Sequence, residues 1–471
     1  MKIAIVHYHL RSSGVARVIE LACQALSGGG IQVAVLAGEI PENSKIPELV
    51  PTACLPELDY ARGHSQDSKK LRYDLEKTAR RLLGGAPDIW HLHNHSLGKN
   101  PALPVALASW VQNGAAILFQ IHDFAENRRP KNYLTLRKAY GEKLNKLLYP
   151  CMPRIGYAVL NSRDKKILKS AGFPGKIFSL PNPAVPLATS SKPISPFAGI
   201  ESLVLYPCRA IRRKNIGEAL LLSCNFSRGK SLAIALPPSS LEDLVLYEQW
   251  KILAASCRLP VQFEACSQRN ILLGDLVRDA EYLVTTSMEE GFGMAFLEAW
   301  LSDKPLMGRN LPKITTDFRA KGLILDSLYD FCGVPVSCIG KTILERSLFH
   351  QWAERYAAYG VRLDQSTRDK LFTRAVREDR VDFGQLGFDL QRKLVCLASE
   401  SLIVAKEISP ALPALPDPAT IRHNRQVVAQ RYSLEEYRHR LLQIYQDLFL
   451  SNYESITYGD SAAILQGFLA L

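Results

Sequence analysis

Residues 280–305 read AEYLVTTSMEEGFGMAFLEAWLSDKP, and this stretch is the most informative part of the sequence. An apolar strand runs into an acidic, glycine-rich turn, and the turn opens a helix that carries a second carboxylate. Glu290 and Glu298 enclose seven residues, with Gly291 and Gly293 just inside the first of them. A buried strand that leads through such a turn into a helix is the repeating unit of nucleotide-binding α/β sheets. The stretch therefore predicts a ligand site where the strand ends.

The spacing of the two glutamates suggests what the ligand is. At 1.5 Å per residue, Glu298 stands about 6–8 Å along the helix from its first turn. The N–H groups of that turn can hold a diphosphate, and a carboxylate one turn deeper can accept hydrogen bonds from both hydroxyls of a ribose. Glu290 is left to face a sugar beyond the phosphates. Spacing alone leaves open the alternative of an ordinary strand–helix unit with two solvated glutamates.

The segment from Glu290 to Ala299 resembles the Glu-x7-Glu signature of the retaining GT-B glycosyltransferases, specifically family 4, which contains sucrose-phosphate and glycogen synthase-like enzymes. The match extends upstream through residues 276–280 and downstream to 304–305. The resemblance implies a nucleotide-sugar donor on the C-terminal domain, with the first glutamate on the donor sugar and the second on the ribose. The donor-binding residues that it implies in this segment are Glu290, Gly291, Phe292, Gly293, Met294, Leu297 and Glu298.

Bulk properties restrict the class of protein. A chain of 471 residues has the length for two or three domains, and 47% hydrophobic residues suffice for real cores. The formal charge of +12 favours anionic partners, which are a nucleotide, a phosphorylated acceptor, an acidic membrane surface or a nucleic acid. Nucleic acid is the least favoured of these, because no dense basic run with interleaved aromatic residues occurs.

The ten cysteines are scattered without a Cys-x-x-Cys pair. They predict neither zinc nor a disulfide framework, and they are typical of reduced thiols in a cytoplasmic protein. The first apolar run is too short for a signal peptide. No stretch approaches the roughly 18 apolar residues of a membrane span. We therefore expect a cytoplasmic protein with no transmembrane segment.

Short apolar runs alternate with amphipathic stretches in two series, which indicates doubly wound parallel sheets. The two series are separated by a stretch rich in Pro, Ser and Ala at 183–199. Two Rossmann-like halves joined by a linker fit the GT-B architecture, with ligands at the carboxyl ends of strands in the cleft between the domains. The predicted strands are 3–8, 31–37, 88–93, 115–122, 155–160 and 176–180 in the first series, and 202–208, 231–236, 261–265, 282–286 and 305–307 in the second.

The sequence predicts three parts. Residues 1–190 form a Rossmann-like acceptor domain, and residues 191–425 form a Rossmann-like nucleotide-sugar domain that contains a helical insertion at 320–410. Residues 426–471 form a C-terminal helical segment, in which Ser433 and Glu436 resemble a capping box. This segment resembles the closing helix of the family, which crosses back onto the first domain.

Arg209 and Lys214 follow the first strand of the second series and resemble the family's Gly-Arg-Leu-x-x-x-Lys element, with Cys208 in place of glycine. The resemblance implies that both bind the donor diphosphate. A departing nucleoside diphosphate gains negative charge, which these cations offset. No Asp-x-Asp motif occurs, so we expect neither a metal nor another cofactor, and a UDP- or GDP-sugar as donor. The alternative is a basic surface loop.

Two further sites belong to the first series. His122 ends a strand and matches the family's histidine near the transferring carbon, and His91, His93 and His95 resemble its "Asp-x-x-His-x-His" strand end. The turn before Gly14 looks like the family's acceptor loop and has only that one glycine, with Arg11 adding charge. Amides at the start of a helix can cradle an anion. Arg128, Arg129 and Lys131 add a basic rim, which suits an anionic acceptor or membrane surface, or is ordinary solvated charge.

One departure concerns residues 309–314, RNLPKI, where the family usually has Gly-Gly-x-Pro-Glu-Ile. Both glycines are absent, and Lys313 replaces the glutamate. The departure places the chain in an unusual branch of the family.

The sequence therefore favours a retaining hexosyltransferase that uses a hydroxyl acceptor, which could be a small anionic phosphosugar or a glycerate-like compound. In this interpretation His122, Arg209, Lys214 and Glu290 carry the reaction. The rivals are a GT-B phosphorylase or nucleotide-sugar epimerase, and a non-catalytic nucleotide-sugar-binding protein. A dinucleotide oxidoreductase ranks low, because no Gly-x-Gly-x-x-Gly follows the first strand of either half.

Overall fold

The structure is a computed structural model that describes residues 1–28, 30–61, 67–190, 200–267 and 271–470. The chain divides into two compact units, which are unit 1 (Met1–Pro183 and Tyr432–Leu471) and unit 2 (Ala184–Arg431). Most of the linker expected at 183–199 lies outside the described residues.

Unit 1 contains a seven-stranded sheet in the order β3-β2-β1-β4-β5-β7-β8, and all of its pairings are parallel. The five inner strands are buried along most of their length, which is why they read as continuous apolar runs. The strands of this part of the chain are β1 Lys2–His7, β2 Gln32–Ala37, β3 Thr52–Cys54, β4 Ile89–His93, β5 Ile117–Ile121, β6 Pro150–Cys151, β7 Ile155–Val159 and β8 Lys176–Ser179. The helices are α1 Gly14–Leu26, α2 Ile46–Leu49, α3 Ser68–Leu83, α4 Ala102–Gln112, α5 Pro130–Tyr140, α6 Leu144–Leu148 and α7 Ser162–Ser170.

Unit 2 contains a six-stranded parallel sheet in the order β11-β10-β9-β12-β13-β14. Its strands, with those of a small second sheet, are β9 Ser202–Arg209, β10 Lys230–Leu236, β11 Val261–Gln262, β12 Tyr282–Thr285, β13 Leu306–Arg309, β14 Leu328–Tyr329, β15 Gly333–Pro335, β16 Val376–Arg377 and β17 Arg380–Asp382. Its helices are α8 Ile216–Ser223, α9 Leu241–Ser256, α10 Leu273–Asp279, α11 Ala295–Leu301, α12 Pro312–Ala320, α13 Lys341–Ala357, α14 Gln365–Ala375, α15 Phe388–Glu400, α16 Leu402–Ile408 and α17 Pro418–Arg431. The prediction of two doubly wound parallel sheets is confirmed.

The segment at 320–410, which was expected to be helical, contains short β-strands as well as helices. Helices α13 to α16 are joined there by a three-stranded antiparallel sheet in the order β15-β17-β16. These strands are only two or three residues long, too short to show a periodic pattern in the sequence. Helix α15 packs against α8, so the segment rests directly on the first helix of the parallel sheet of unit 2.

The C-terminal part of the chain completes unit 1 with α18 Leu434–Leu450, β18 Thr457–Tyr458 and α19 Ser461–Leu469. The Ser433 side chain caps α18 by accepting the backbone N–H of Glu436 at 3.1 Å, and the Glu436 carboxylate pairs with Arg440. Helix α18 packs on α1 and on strands β4, β5 and β7. Its buried face is Tyr437, Leu441, Ile444, Tyr445 and Leu448. Among the described residues, no helix combines the length and apolar character needed to cross a bilayer.

Candidate active site

The carboxylate of Glu290 lies between two cations at one edge of the parallel sheet of unit 2. Strands β9 and β12 are parallel neighbours, so the residues that follow them meet at the same edge. Lys214 closes the 3-10 turn Arg212–Lys214 after β9, and its ammonium contacts one oxygen of Glu290. Arg213 donates from Nη1 to the other oxygen at 2.6 Å. The structure therefore brings the predicted Lys214 and Glu290 together.

Glu290 is only 7% exposed, and burial by itself would raise the pKa of its carboxyl. The charges of Lys214 and Arg213 outweigh burial and lower the pKa to about 2. The carboxylate is therefore ionised throughout the physiological range.

Hydrogen bonds connect the basic turn at 212–214 to the loop that carries Glu290. The hydroxyl of Tyr206 donates to the carbonyl of Lys214 at 2.8 Å and lies 2.9 Å from Oγ of Ser287. The amide of Met288 donates to the carbonyl of Arg213 at 2.9 Å. These bonds join the basic turn to the loop that carries Glu290, so the cations and the carboxylate are placed as one element.

Arg213 was not singled out by the sequence, although it stands in the basic run before Lys214. The expected cation, Arg209, ends β9 and donates from Nη1 to the carbonyl of Pro237 at 3.1 Å. The sequence pattern cannot distinguish the two arginines, because which guanidinium reaches the carboxylate depends on the path of the 3-10 turn.

The remaining residues of the Glu-x7-Glu segment lie on both sides of the helix start. Phe292 and Leu297 are buried, and Phe292 packs edge-on against Phe318. Gly293 has a φ of +92°, and a Cβ there would lie 2.9 Å from the Phe296 ring, so glycine is required. Of the other members, Gly291 and Met294 are half-buried, and Glu298 is half-buried on α11.

Not all of the amides expected to hold a diphosphate are available. The amide of Phe296 donates to the carbonyl of Gly293 at 3.0 Å, and the amide of Leu297 donates to that of Met294 at 2.9 Å. These two amides are therefore already engaged within the first turn of α11.

A second cluster in unit 2 was missed by the sequence. Arg309, the first residue of the departure from the family pattern, is 3% exposed. Its guanidinium donates to Glu218 at 2.9 Å and to Asp382 at 2.7 and 2.8 Å. The one available signal was an arginine just after a short apolar run, at a position where the family that the sequence resembles usually has glycine.

In unit 1, His122 lies with other histidines at the carboxyl ends of β4 and β5. Its Nε2 is 2.9 Å from Nδ1 of His93, and the two rings stack with centroids 5.1 Å apart. Burial lowers the pKa of His122 to about 4 and that of His93 well below its usual value, so both rings are neutral near pH 7. His91 bonds the hydroxyl of Tyr445 at 2.8 Å, and His95 bonds the carbonyl of Leu148 at 2.7 Å.

Gly14 begins α1, which Ser13 caps through the amide of Ala16. A Cβ at Gly14 would meet nothing within 4 Å, so the turn is open at this point. The charge of Arg11 is engaged elsewhere, because its guanidinium pairs with Asp59 at 2.9 Å and also with Glu39. The expected contribution of Arg11 to an anion cradle is therefore offset by two carboxylates.

The basic rim lies at the start of α5, where Arg129 pairs with Asp123 at 2.9 Å. Arg128 and Lys131 are exposed. Among the described residues, no group of three or more His, Cys, Asp or Glu side chains is arranged to hold a metal ion.

Comparison with solved structures decides the fold. Sucrose-phosphate synthase from Thermosynechococcus elongatus superposes with a TM-score of 0.55 at 13% identity, over 96% of this chain and 99% of that one. HepE from Anabaena, solved with UDP and glucose, gives a TM-score of 0.54 at 10% identity, over 94% and 98%. This chain has the GT-B fold.

Sequence comparison adds one relative. Mannosylglucosyl-3-phosphoglycerate synthase from Petrotoga mobilis is 28% identical over 93% of this chain and 89% of its own length. No protein-family profile matches the chain. The GT-B chain is thus similar over nearly its whole length to a sugar-phosphoglycerate synthase.

Proposed function

We propose that this chain is a retaining glycosyltransferase that moves a hexose from a nucleoside-diphosphate sugar to a hydroxyl acceptor. The observation that carries the proposal is the Glu290 carboxylate held ionised by Lys214 and Arg213 at the carboxyl edge of the unit 2 sheet. An acid that faces a sugar, beside cations that face a diphosphate, is the arrangement that donor cleavage requires.

The cations act on the leaving group. As the glycosidic bond breaks, negative charge develops on the departing nucleoside diphosphate, and preorganised cations stabilise that charge. The ammonium of Lys214 has three N–H donors, so contact with Glu290 leaves others for a phosphate oxygen. Arg213 and Arg209 supply further charge. This arrangement makes a metal ion unnecessary, and metal independence is part of the proposal.

The carboxylates orient the two sugars of the donor. Glu290 accepts hydrogen bonds from hydroxyls of the hexose, and Glu298 from hydroxyls of the ribose. The acceptor hydroxyl attacks from the face of the leaving group, and a diphosphate oxygen takes its proton. His122 of unit 1 takes part in the reaction in this assignment as a neutral group, since burial lowers its pKa to about 4.

For the acceptor we propose a small molecule that carries a phosphoglycerate group. The relative from Petrotoga mobilis is named for a product of this kind. The formal charge of +12 favours an anionic substrate over a neutral one. The open start of α1 at Gly14 and the basic residues at the start of α5 are the surfaces of unit 1 that suit such an anion.

The test is a matrix of donors and acceptors with the full chain. UDP-, GDP- and ADP-linked glucose and mannose are each incubated with 3-phosphoglycerate and with its glucosyl derivative, and released nucleoside diphosphate is measured. We expect release that depends on the acceptor, an α-linked product by NMR from an α-linked donor, and no loss of rate in EDTA.

Other outcomes would contradict the proposal in different ways. Conversion of the donor sugar without acceptor would indicate an epimerase, and release of a sugar phosphate in inorganic phosphate would indicate a phosphorylase. A rise in melting temperature with a nucleotide sugar and no turnover with any acceptor would indicate a binding protein.

A further inference from the structure

Asn215 joins the basic turn to α8, and its backbone is left-handed, with a φ of +51°. It directly follows Lys214, so its conformation sets how the turn that carries Lys214 is oriented on α8. A left-handed residue other than glycine costs about 1 kcal/mol, and it persists where the surrounding structure holds it. The contacts of Asn215 therefore bear on the position of Lys214.

Both ends of the Asn215 amide are held by buried side chains. Its Oδ1 accepts from Nε2 of Gln391 at 3.1 Å, and its Nδ2 donates to Oε2 of Glu218 at 2.7 Å. Nε2 of Gln391 also donates to the carbonyl of Phe383 at 2.9 Å. Asn215, Gln391 and Glu218 are all less than a tenth exposed. Water therefore offers little replacement for these bonds.

Glu218 is held in turn by Arg309 and Tyr329. Arg309 donates to Glu218 and to Asp382, and the hydroxyl of Tyr329 donates to Glu218 at 2.6 Å. Asp382 ends β17, and Gln391 lies on α15. The buried ion-pair network thus runs from β13, across the segment at 333–408, to the residue beside Lys214.

The segment at 333–408 also contacts the loop that carries Glu290. A Cβ on Gly384 would lie 2.1 Å from Sδ of Met288, so the backbone of the segment lies directly against that side chain. The amide of Gly384 is fixed by Oδ1 of Asp382 at 2.9 Å. Met288 stands two residues before Glu290 and donates its amide to Arg213. The same segment therefore touches the loops on both sides of the Lys214–Glu290 contact.

We propose that Gln391 is a positioning residue, and that the segment at 333–408 is a scaffold that holds Lys214 on Glu290. Gln391 acts through Asn215, whose amide it holds on one side while Glu218, itself held by Arg309, holds it on the other. The proposal rests on the proposed function for its catalytic consequence. Its structural content, the placement of the lysine ammonium, does not depend on turnover.

The first experiment measures turnover in Gln391→Met, which keeps the side-chain volume and removes the N–H donor. We expect kcat to fall about tenfold with the donor KM little changed, since a misdirected cation loses transition-state stabilisation more than binding. The matched control is Gln351→Met on α13, where the amide donates only to Ser347 of its own helix. We expect that variant to keep the wild-type kcat and to melt close to the wild type.

Asn215→Gly separates positioning from general stability. Glycine keeps the left-handed backbone without strain and removes the amide that Gln391 holds. If Gln391 acts through Asn215, the double variant loses no more kcat than the worse single variant, whereas independent effects multiply. Multiplied losses would overturn the proposed route.

The second experiment needs no turnover. The proteins are treated briefly with an amine-modifying reagent, and labelling at each lysine is measured by mass spectrometry. Lys214 is 13% exposed and held on Glu290, so we expect slow labelling in the wild type and in Gln351→Met. In Gln391→Met we expect labelling of Lys214 to rise several-fold, with the exposed Lys69 unchanged.

The two experiments fail in distinguishable ways. A wild type without turnover would refute the proposed function, while the labelling still decides the positioning. Unchanged labelling of Lys214 in folded Gln391→Met would overturn the positioning role whatever the activity. If Gln391→Met does not fold, Asn215→Gly is measured by the same labelling, with the same expected rise and the same contradicting result.

Discussion

At the residue scale, Lys214 carries the clearest chemical expectation. Its ammonium contacts Glu290, and its side chain is only partly exposed, so it faces the place where the diphosphate is proposed to bind. We expect Lys214→Ala to lower kcat by roughly a hundredfold to a thousandfold, the cost typical of losing one preorganised electrostatic contact. Steady-state release of nucleoside diphosphate measures the change.

The fold of Lys214→Ala should survive, because Arg213 still pairs with Glu290. A cooperative melting transition by circular dichroism is the check, and Lys69→Ala, on the exposed face of α3, is the matched control. Turnover within a few-fold of wild type in the folded variant would refute the assignment.

A second prediction concerns Glu126, which is 1% exposed and accepts hydrogen bonds from Tyr149 at 3.0 Å and Ser461 at 2.6 Å. Burial raises the pKa of its carboxyl to about 7. Because the pKa is higher in the folded state, the folded state keeps a proton that the unfolded state loses. The contribution of protonated Glu126 to the free energy of unfolding is complete below the unfolded pKa of about 4.3, and it is lost as pH rises to about 7.

Glu126→Gln imitates the protonated carboxyl at every pH. We expect the free energy of unfolding of the variant to rise relative to wild type between pH 5 and pH 8, by up to about 3 kcal/mol. Denaturant titrations at several pH values measure the difference. A difference that does not change over this range would show that Glu126 is not held protonated in the folded protein.

At the element scale, α18 depends on its contact with the sheet of unit 1. The hydroxyl of Tyr445 is the partner of His91 Nδ1 at 2.8 Å, and both residues are fully buried. Tyr445→Phe leaves a buried ring nitrogen without its bond, which costs about 1–3 kcal/mol. Thermal or denaturant unfolding measures the loss.

The control for this variant is Tyr73→Phe on α3, whose ring is 59% exposed. It should melt like the wild type. Equal stability of Tyr445→Phe and wild type would mean that the helix is held by apolar packing alone.

The start of α18 shows how far local sequence patterns predict structure. Ser433 was predicted as the cap of the C-terminal helix and is its cap, because capping depends on residues three positions apart. The expected reciprocal partner, Glu436, pairs with Arg440 one turn later, because a neighbouring cation competes for the carboxylate. Local sequence therefore sets where a helix begins better than it sets which side chains pair along it.

At the scale of the whole molecule, the histidines of unit 1 predict acid sensitivity. Burial lowers the pKa of His7 and His91 to about 3, and of His95 and His122 to about 4. Because these values lie below the unfolded value of about 6.5, the unfolded state binds more protons in acid, and stability falls as pH drops from about 6.5 towards 4.

The size of the effect follows from proton counting. At pH 5 these four histidines and His93 take up nearly five protons on unfolding, and Glu126 releases most of one, so about four remain. Calorimetric unfolding of the full chain in buffers of different ionisation enthalpy measures this number. His122→Asn should lower it by about one. An uptake near zero would contradict the burial of neutral histidines.

The amino-acid sequence alone was enough to predict the two parallel sheets with their longer strands, and to select Lys214 and Glu290 as site residues. Each of these depends on hydrophobic runs, turn residues or a short motif, which are local properties of the chain. The short strands β15 to β17, the contact of Arg213 with the carboxylate, and the burial of Arg309 between Glu218 and Asp382, which lie 91 and 73 positions away, depend on the folded chain. Contacts over such separations leave no periodic trace, because they depend on how packed elements bring distant residues together.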